Sequence, residues 1–323
     1  MKAIVQDSYG SADVLEFRDV EMPVPDDDQV LVRVHAAGVD PGVWHLMTGL
    51  PYLVRVMGYG LRKPKFPIRG RDVAGRVEAV GKNVTRFQPG DEVFGTCEGS
   101  FAEYASARED RLALKPANLS FEQAAAVPIS GVTALQAVRD KGQVEPGHKV
   151  LIIGAGGGVG TYAVQIAKAY GAEVTGVCST AKIDLVRSLG ADHIIDYTRE
   201  DFAEGTLEYD VIIDTAGNRP LAQLRRALTP KGALVIVGGE GGGKWAGPAG
   251  RLLPTLVLSP LVSQKLVALM AVERVEDLQT LSGMIEANQI TPAVERTYPL
   301  VEAPNAVRYV GEGHAQGKVV VTI

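Results

Sequence analysis

The chain has 323 residues, of which 46% are hydrophobic and 22% are charged. This length and composition indicate a globular protein with room for two domains, each with its own core. The net charge of −5 and the lack of a basic stripe argue against nucleic-acid binding. Cys97 and Cys178 are the only cysteines, which excludes a disulfide framework and fits a reducing compartment, so we expect a cytoplasmic protein.

No segment predicts a secretory signal or a membrane span. Residues 2–5 have the pattern of a β-strand, where a signal peptide needs a basic region followed by an apolar one. The most apolar stretch, 252–272, contains two prolines, a glutamine and a lysine. It never reaches the roughly 18 uninterrupted apolar residues of a membrane span. We expect a buried or interface segment there, and no membrane partner.

The first part of the chain, residues 1–120, has the pattern of a β-rich domain. Three valines alternate with other residues over 30–34, and residues 73–80 and 92–94 are further strand candidates. Residues 89–91 read Pro-Gly-Asp, which predicts a tight turn because proline fixes φ and glycine tolerates positive φ. Short strands separated by glycine turns predict a compact, barrel-like domain.

From about Phe121 the pattern changes to helices, at 122–127 and 132–141, and then to alternating strands and helices. The predicted strands are 149–153, 173–178, 192–196, 210–214 and 233–237. The helices between them are 158–170, 181–189 and 218–228. Such an alternation predicts a doubly wound parallel sheet covered on both faces. A helix at 276–287 and a final strand at 318–323 follow, and this tail can rejoin the N-terminal domain.

A glycine-rich turn joins the strand at 149–153 to the next helix. Gly154, Gly157 and Gly160 are spaced as GxxGxxG rather than the usual GxGxxG. A strand that turns sharply into a helix directs backbone N–H groups and the positive end of the helix dipole at one point, which suits a pyrophosphate. The glycines let a diphosphate approach the backbone closely. The turn, including Gly158 and Val159, therefore predicts a dinucleotide site.

The end of the second strand bears on which dinucleotide binds. About 20 residues beyond the last glycine, where NAD-specific folds place an acid, the chain has Ser179 and Thr180. Asp184 comes later, on the following helix, and Lys182 is available to a phosphate. These residues favour NADPH over NADH. The alternative is that Ser179 and Thr180 cap the next helix, which does not exclude phosphate binding.

Segments along the whole chain carry a family resemblance. They are AGVDP at 37–41, GRDVAGRV at 70–77, FQPGDEVFG at 87–95, GVTA at 131–134, SLGAD at 188–192 and GKVV at 317–320. With these the chain resembles the medium-chain dehydrogenase/reductase superfamily, in its zinc-free quinone oxidoreductase branch. The resemblance implies an α/β protein with a GroES-like β-barrel catalytic domain at 1–122 and a Rossmann NADPH-binding domain at 123–270. Residues 271–323 then return to the catalytic domain.

The same resemblance bears on zinc. Where zinc-dependent relatives have the first two ligands of their catalytic zinc, this chain has Asp40 and Asp72, and it lacks the four-cysteine loop of their structural zinc. A zinc site needs three or four converging ligands. We find no such set and predict no metal, and without a Lewis acid an alkoxide loses its usual stabilisation.

The resemblance also implies a reaction cleft lined by residues 40–52. Relatives commonly have Asn at the position of Asp40 and Asp at that of Val43, so this chain departs at both. Asp40 either orients a substrate or cofactor amide or accepts backbone N–H groups in its Asp-Pro turn. His45 and Tyr52 match polar or aromatic pocket positions, with simple packing as the alternative. The proton donor is one of these side chains or water.

Further cofactor residues follow from the resemblance. Thr133 matches a threonine beside the nicotinamide, or else its hydroxyl bonds within its own helix. Tyr197 resembles a tyrosine on the 2′-phosphate side. Gly217 and Gly238 follow parallel strands at the carboxyl edge, where such sheets bind ligands. Lys318 supports the cofactor cleft, unless it is an ordinary surface lysine.

These features together predict an NADPH-dependent oxidoreductase that reduces quinones, enones or related activated carbonyl compounds by zinc-independent hydride transfer. Both acceptors spread the arriving charge onto oxygen, so a few hydrogen bonds and a later protonation suffice. The alternatives are a zinc-free alcohol dehydrogenase and a non-enzymatic NADPH-binding interaction protein. The expected partners are a small-molecule substrate and a second copy of the chain, paired through the apolar region 236–269. The sequence does not identify the physiological substrate.

Overall fold

The computed structural model describes residues 1–202, 208–238, 243–246, 255, 258–259 and 262–323, with only the backbone of residues 244 and 246. Within the predicted segments 236–269 and 252–272, residues 239–242, 247–254, 256–257 and 260–261 lie outside the described residues. The chain divides into two compact units. The first unit comprises residues 1–132, 273–288 and 292–323, and the second comprises 133–272 and 289–291.

The division differs from the predicted boundary at residue 122, because residues 123–132 group with the first unit. The helix that begins at Phe121 packs against strands of the first unit. The sequence pattern therefore changes near Phe121, before the boundary between the two units at residue 132. Residues 273–288 and 292–323 also group with the first unit.

The strands of the first part of the chain are β1 (Lys2–Val5), β2 (Glu16–Asp19), β3 (Gln29–Val39), β4 (Asp72–Val80), β5 (Glu92–Thr96), β6 (Tyr104–Arg108) and β7 (Leu112–Leu114). Those of the second unit are β8 (Lys149–Ile153), β9 (Glu173–Cys178), β10 (His193–Asp196), β11 (Tyr209–Asp214), β12 (Leu228–Ile236) and β13 (Lys265–Ala268). The last two strands are β14 (Val294–Pro299) and β15 (Lys318–Thr322).

The helices, in chain order, are α1 (Pro41–Thr48), α2 (Tyr52–Val54), α3 (Phe121–Ala125), α4 (Pro128–Leu135), α5 (Gly158–Ala169), α6 (Ile183–Ser188), α7 (Leu221–Arg226), α8 (Gly243–Ala246), α9 (Val275–Glu286) and α10 (Ala303–Gly311). A π-helical segment, Gln136–Gly142, continues α4. Among the described residues, every helix is too short or too polar to cross a bilayer.

The first unit is built on a seven-stranded, mostly antiparallel sheet. Its order is β14-β15-β3-β4-β5-β7, and β6 also pairs with β3. Val30, Val32 and Val34 of β3 are buried and pack with valines of β4, as the alternation predicted. β15 pairs antiparallel with β3, with Val319 opposite Val39. The tail of the chain therefore completes the sheet that the N-terminal strands begin.

The second unit contains a six-stranded parallel sheet with the order β10-β9-β8-β11-β12-β13. The predicted doubly wound parallel sheet is confirmed. Its core consists of buried aliphatic side chains such as Leu151, Ile212 and Leu234. The strand order reverses between β8 and β11, and ligands of such sheets bind beyond the carboxyl ends of the strands at this reversal.

Candidate functional site

The glycine turn follows β8 at the reversal of strand order. Gly154 has φ +82°, a conformation that glycine adopts without strain. A Cβ added at Gly160 would lie 2.1 Å from the carbonyl oxygen of Gly154, closer than any real contact. The backbone of the turn itself therefore requires glycine at both positions.

Gly157 is a different case, because the protein around it does not require a glycine. Its backbone is extended, with φ −95° and ψ 177°, and an added Cβ would meet only the oxygen of Gly154, at 3.4 Å. α5 begins at the next residue, Gly158, and no described side chain caps it. The N–H groups of Gly158, Val159 and Gly160 in its first turn have no partner within the helix. The room for a Cβ at Gly157, directly before these donors, fits a close approach of the pyrophosphate of a dinucleotide.

Lys182 lies beside this turn. A Cβ added at Gly156 would lie 2.8 Å from Cβ and Cδ of Lys182, so the aliphatic stem of the lysine packs against the turn. Ser179 precedes the short helical turn Thr180–Lys182 but makes no capping hydrogen bond with its side chain. The capping alternative for Ser179 is therefore wrong, because the first N–H groups there receive no side-chain oxygen.

The Thr180 hydroxyl does not cap a helix either. It donates to Oδ2 of Asp196 at 2.5 Å. Oδ1 of Asp196 accepts from the backbone N–H of Thr198 at 3.0 Å and from its hydroxyl at 2.7 Å. The Thr180 hydroxyl, and with it that of Thr198, holds the pKa of Asp196 below its usual range. The carboxylate is buried and occupied by protein donors, while the exposed Arg199 approaches its Oδ2 to 3.6 Å.

The sequence pattern does not identify Asp196, because a ribose-binding acid is expected at the end of the second strand and Asp196 ends the third. It ends β10, directly beside Cys178 at the end of β9. The sequence contains one signal, an acid at the end of the third predicted strand immediately before Tyr197. Tyr197 itself is 52% exposed. Lys182, Arg199 and Asp196 give this corner of the sheet two positive charges and one negative charge.

Residues at the carboxyl end of β11 lie on the other side of the point where the strand order reverses. Thr215 donates its hydroxyl to the oxygen of Ile153 at 2.8 Å, which ties β11 to β8. The buried Asp214 accepts from the N–H of Gly217 at 2.8 Å, and Gly217 has φ +68°. Gly238 follows β12, and its N–H points at the oxygen of Asp214. Both predicted glycines therefore lie at the carboxyl edge of the sheet.

Asp40, in the first unit, is the residue before α1. Its Oδ1 accepts from the N–H of Gly42 at 2.6 Å, so the predicted turn contact is present. Its Oδ2 is buried and has no hydrogen-bond partner among the described residues. A buried carboxylate oxygen without a partner costs free energy. It is therefore a candidate acceptor for an N–H or O–H of a ligand.

His45 lies on α1 with its ring edge against Trp44. Its Nδ1 is 2.8 Å from the carbonyl oxygen of Leu50. A carbonyl oxygen only accepts, so Nδ1 carries the hydrogen and Nε2 of the neutral ring is an acceptor. His45 can therefore donate a proton from Nε2 only in its imidazolium form. Tyr52 begins α2, and the guanidinium of Arg55 lies 4.9 Å from its ring centre.

Lys318 is buried, so the alternative of a surface lysine is wrong. Its Nζ lies 3.1 Å from Oδ2 of Asp72 and 3.1 Å from Oγ of Ser130. Oδ1 of Asp72 accepts from the N–H of Ile129 at 2.9 Å. Burial raises the pKa of Asp72 to about 6, an effect that the Lys318 ammonium opposes and the Asp40 carboxylate reinforces. The Asp72 side chain is thus fully engaged by protein groups.

The donor set does not fit the catalytic zinc of zinc-dependent relatives. Asp72 pairs with Lys318, and Asp40 caps α1. Over the described residues, no three side chains of His, Cys, Asp or Glu converge as a metal would require. The fit to a dinucleotide is better, because the turn offers donors and open space. Thr133, on α4, falls at the start of the second unit, whereas Asp40, His45, Tyr52 and Lys318 belong to the first.

Two family models match the chain. One, described as an alcohol dehydrogenase GroES-like domain, matches residues 26–117, and another, described as a zinc-binding dehydrogenase, matches residues 189–321. The quinone oxidoreductase of Sus scrofa is 35% identical over 321 residues, which cover 95% of this chain and 92% of the pig protein. The mitochondrial NAD(P)H oxidoreductase RTN4IP1 of Mus musculus is 32% identical, covering 100% of this chain and 89% of the mouse protein.

Solved structures show the same likeness. The quinone oxidoreductase from Coxiella burnetii superposes with a TM-score of 0.86 at 29% identity, covering 100% of this chain and 99% of that one. A GroES-like domain together with a Rossmann domain defines the chain as an oxidoreductase. More specifically, it belongs to the medium-chain dehydrogenase/reductase superfamily and is quinone oxidoreductase-like. The predicted family and fold class are confirmed.

Proposed function

We propose that this protein uses NADPH to reduce quinones, enones or related activated carbonyl compounds without a metal ion. The observation that carries the proposal is the pairing of Asp72 with Lys318, at a position where zinc-dependent relatives have a metal ligand. An ammonium that occupies this carboxylate leaves it poorly suited to binding zinc. The names of the pig and Coxiella relatives, both quinone oxidoreductases, support the substrate class.

The chain's own residues have three tasks in this reaction. The first turn of α5 holds the pyrophosphate through backbone N–H groups. Lys182 supplies a charge to the 2′-phosphate, and the unpartnered Oδ2 of Asp40 accepts an N–H or O–H of substrate or cofactor amide. When bound, the nicotinamide supplies the hydride. Orientation of two reactants in this way accounts for about 7–11 kcal/mol of barrier at best.

The reduced substrate needs a proton. His45 in its neutral form presents an acceptor at Nε2, because Nδ1–H is committed to Leu50. Imidazolium His45, the hydroxyl of Tyr52 and water therefore remain as donors, and the neutral imidazole does not. A quinone or enone can accept a hydride without a proton from the neutral imidazole, since the negative charge that arrives is delocalised onto oxygen.

Turnover assays test the reaction. Purified protein with NADPH and a panel of quinones and enones should show loss of nicotinamide absorbance. Tight NADPH binding without turnover of any acceptor would favour the interaction protein instead. Reduction of the oxidised cofactor by simple alcohols, with little enone activity, would favour the alcohol dehydrogenase. Metal analysis that finds stoichiometric zinc would contradict the proposal.

Lys182→Ala tests the cofactor preference. One charge-assisted contact to the 2′-phosphate is lost, so NADPH affinity should fall about tenfold or more while NADH affinity changes little. Fluorescence titration measures both. Lys231→Ala is the matched control, because Lys231 is exposed near the start of β12, away from the carboxyl end of that strand. Equal weakening of both cofactors by Lys182→Ala would refute the assignment.

A further inference from the structure

One short segment of the first unit exposes an unusual number of large apolar side chains. Leu53, Val56, Met57 and Leu61 are 41%, 70%, 55% and 68% exposed. We name residues 53–65 the 53–65 surface. Single exposed apolar residues need no explanation, but a cluster within nine positions marks a surface that binds something.

The backbone that carries these side chains is anchored. The hydroxyl of Tyr9 donates to the oxygens of Tyr59 at 2.9 Å and Gly60 at 2.6 Å. Nε of Arg55 donates to the oxygen of Gly49 at 2.9 Å, and its guanidinium lies 4.3 Å from the ring centre of Tyr9. The contacts of Tyr9 and Arg55 thus fix the backbone of the segment, while its large apolar side chains remain exposed.

Charge is the second feature of the 53–65 surface. Arg62, Lys63 and Lys65 are exposed. Residues 53–65 contain no aspartate or glutamate, in a chain whose net charge is −5. The cores of protein–protein interfaces are depleted of charge. Cations interleaved with protruding apolar side chains are instead typical of segments that lie in the interface of an anionic bilayer.

We propose that the 53–65 surface binds reversibly to anionic lipid bilayers. Val56, Met57 and Leu61 enter the boundary between headgroups and acyl chains, and Arg62 with its neighbouring lysines contacts lipid phosphates. Such adsorption needs no membrane-spanning helix, and none is found among the described residues. The proposal is independent of the proposed reductase activity, because it involves no cofactor or substrate.

Vesicle flotation tests this binding with the full chain. The protein should float with vesicles of phosphatidylcholine mixed with phosphatidylglycerol, float poorly with phosphatidylcholine alone, and be released by added salt. Removing one exposed cation, as in Lys63→Ala, should weaken binding about fivefold. Val56→Asp should abolish flotation, because it introduces a charge at the bilayer interface.

Val24→Asp is the matched control, since Val24 is 86% exposed and lies outside the 53–65 surface. It should float like the unmodified protein, and unchanged thermal unfolding would establish that both variants fold. Equal loss of flotation in the two variants would overturn the proposal, as would no binding to either vesicle. Dissociation of a dimer by Val56→Asp, without vesicle binding by the unmodified protein, would make the surface an interface between copies of this chain.

Discussion

Lys318 and Asp72 come from distant parts of the sequence and meet as a buried ion pair. Burial raises the pKa of Asp72 to about 6, and the ammonium limits this rise. Because the folded-state pKa lies above that of an ordinary aspartate, protonation of Asp72 favours the folded state. That contribution is complete below about pH 4 and is lost as pH rises through about 6.

Lys318→Met should lower the free energy of unfolding by about 3–5 kcal/mol near pH 8, because it leaves a buried carboxylate without its partner. Near pH 5 the loss should be smaller, since Asp72 is already largely protonated there. Urea unfolding at both pH values measures the two losses. Lys231→Met, at an exposed position, is the control. Equal losses at the two pH values would contradict the coupling.

Sequence patterns identified Asp40 and Lys318 as candidates but left their contacts open. Asp40 makes the predicted turn contact through Oδ1, and its Oδ2 has no partner among the described residues, so its role toward substrate or cofactor stays a prediction. Lys318 contacts Asp72 rather than solvent. No local pattern links Thr180 to Asp196, because the two meet only when β9 and β10 pair in parallel. Residue types were predictable here, whereas partners depend on tertiary pairing.

The glycine turn combines two kinds of glycine within one element. Gly160→Ala forces a Cβ into the backbone of Gly154 and should cost about 1–3 kcal/mol of stability. Gly157→Ala meets only an ordinary contact, so stability should change by less than about 1 kcal/mol. Its methyl group enters the space for the pyrophosphate and should weaken NADPH binding. Thermal unfolding and cofactor titration separate the two effects, and undiminished NADPH affinity in Gly157→Ala would refute the site.

Elements with continuous apolar β-branched residues were predicted closely, as β8 and β9 show. β12 begins at Leu228 instead of the predicted residue 233, because Pro230 and Gly232 lie inside it and interrupt the strand pattern. The helix predicted at 132–141 begins earlier, at Pro128, and ends in a π-helical segment. Pro128 occupies a first-turn position, where a missing N–H costs nothing. Local signals thus located the elements better than their ends.

At the scale of the whole molecule, we propose a homodimer paired through β13. Among the described strands, β13 has a neighbour on one side only. The N–H of Leu269 donates to Ile236, so that of Ala268 faces the open edge. Ala268→Pro removes this outward donor and should convert the dimer to a monomer in light scattering. An unmodified protein that is monomeric at micromolar concentration would contradict the proposal.

The position of β15 between β14 and β3 has a consequence for synthesis on the ribosome. The second unit draws almost all its residues from one continuous stretch, so its sheet can assemble while translation continues. The sheet of the first unit cannot, because residues 318–322 leave the exit tunnel long after β3 has emerged. Until then Asp72 lacks its counterion and one edge of β3 lacks its β15 neighbour. The N-terminal strands therefore stay an incomplete sheet until β15 is released, and unpaired strand edges of this kind favour aggregation.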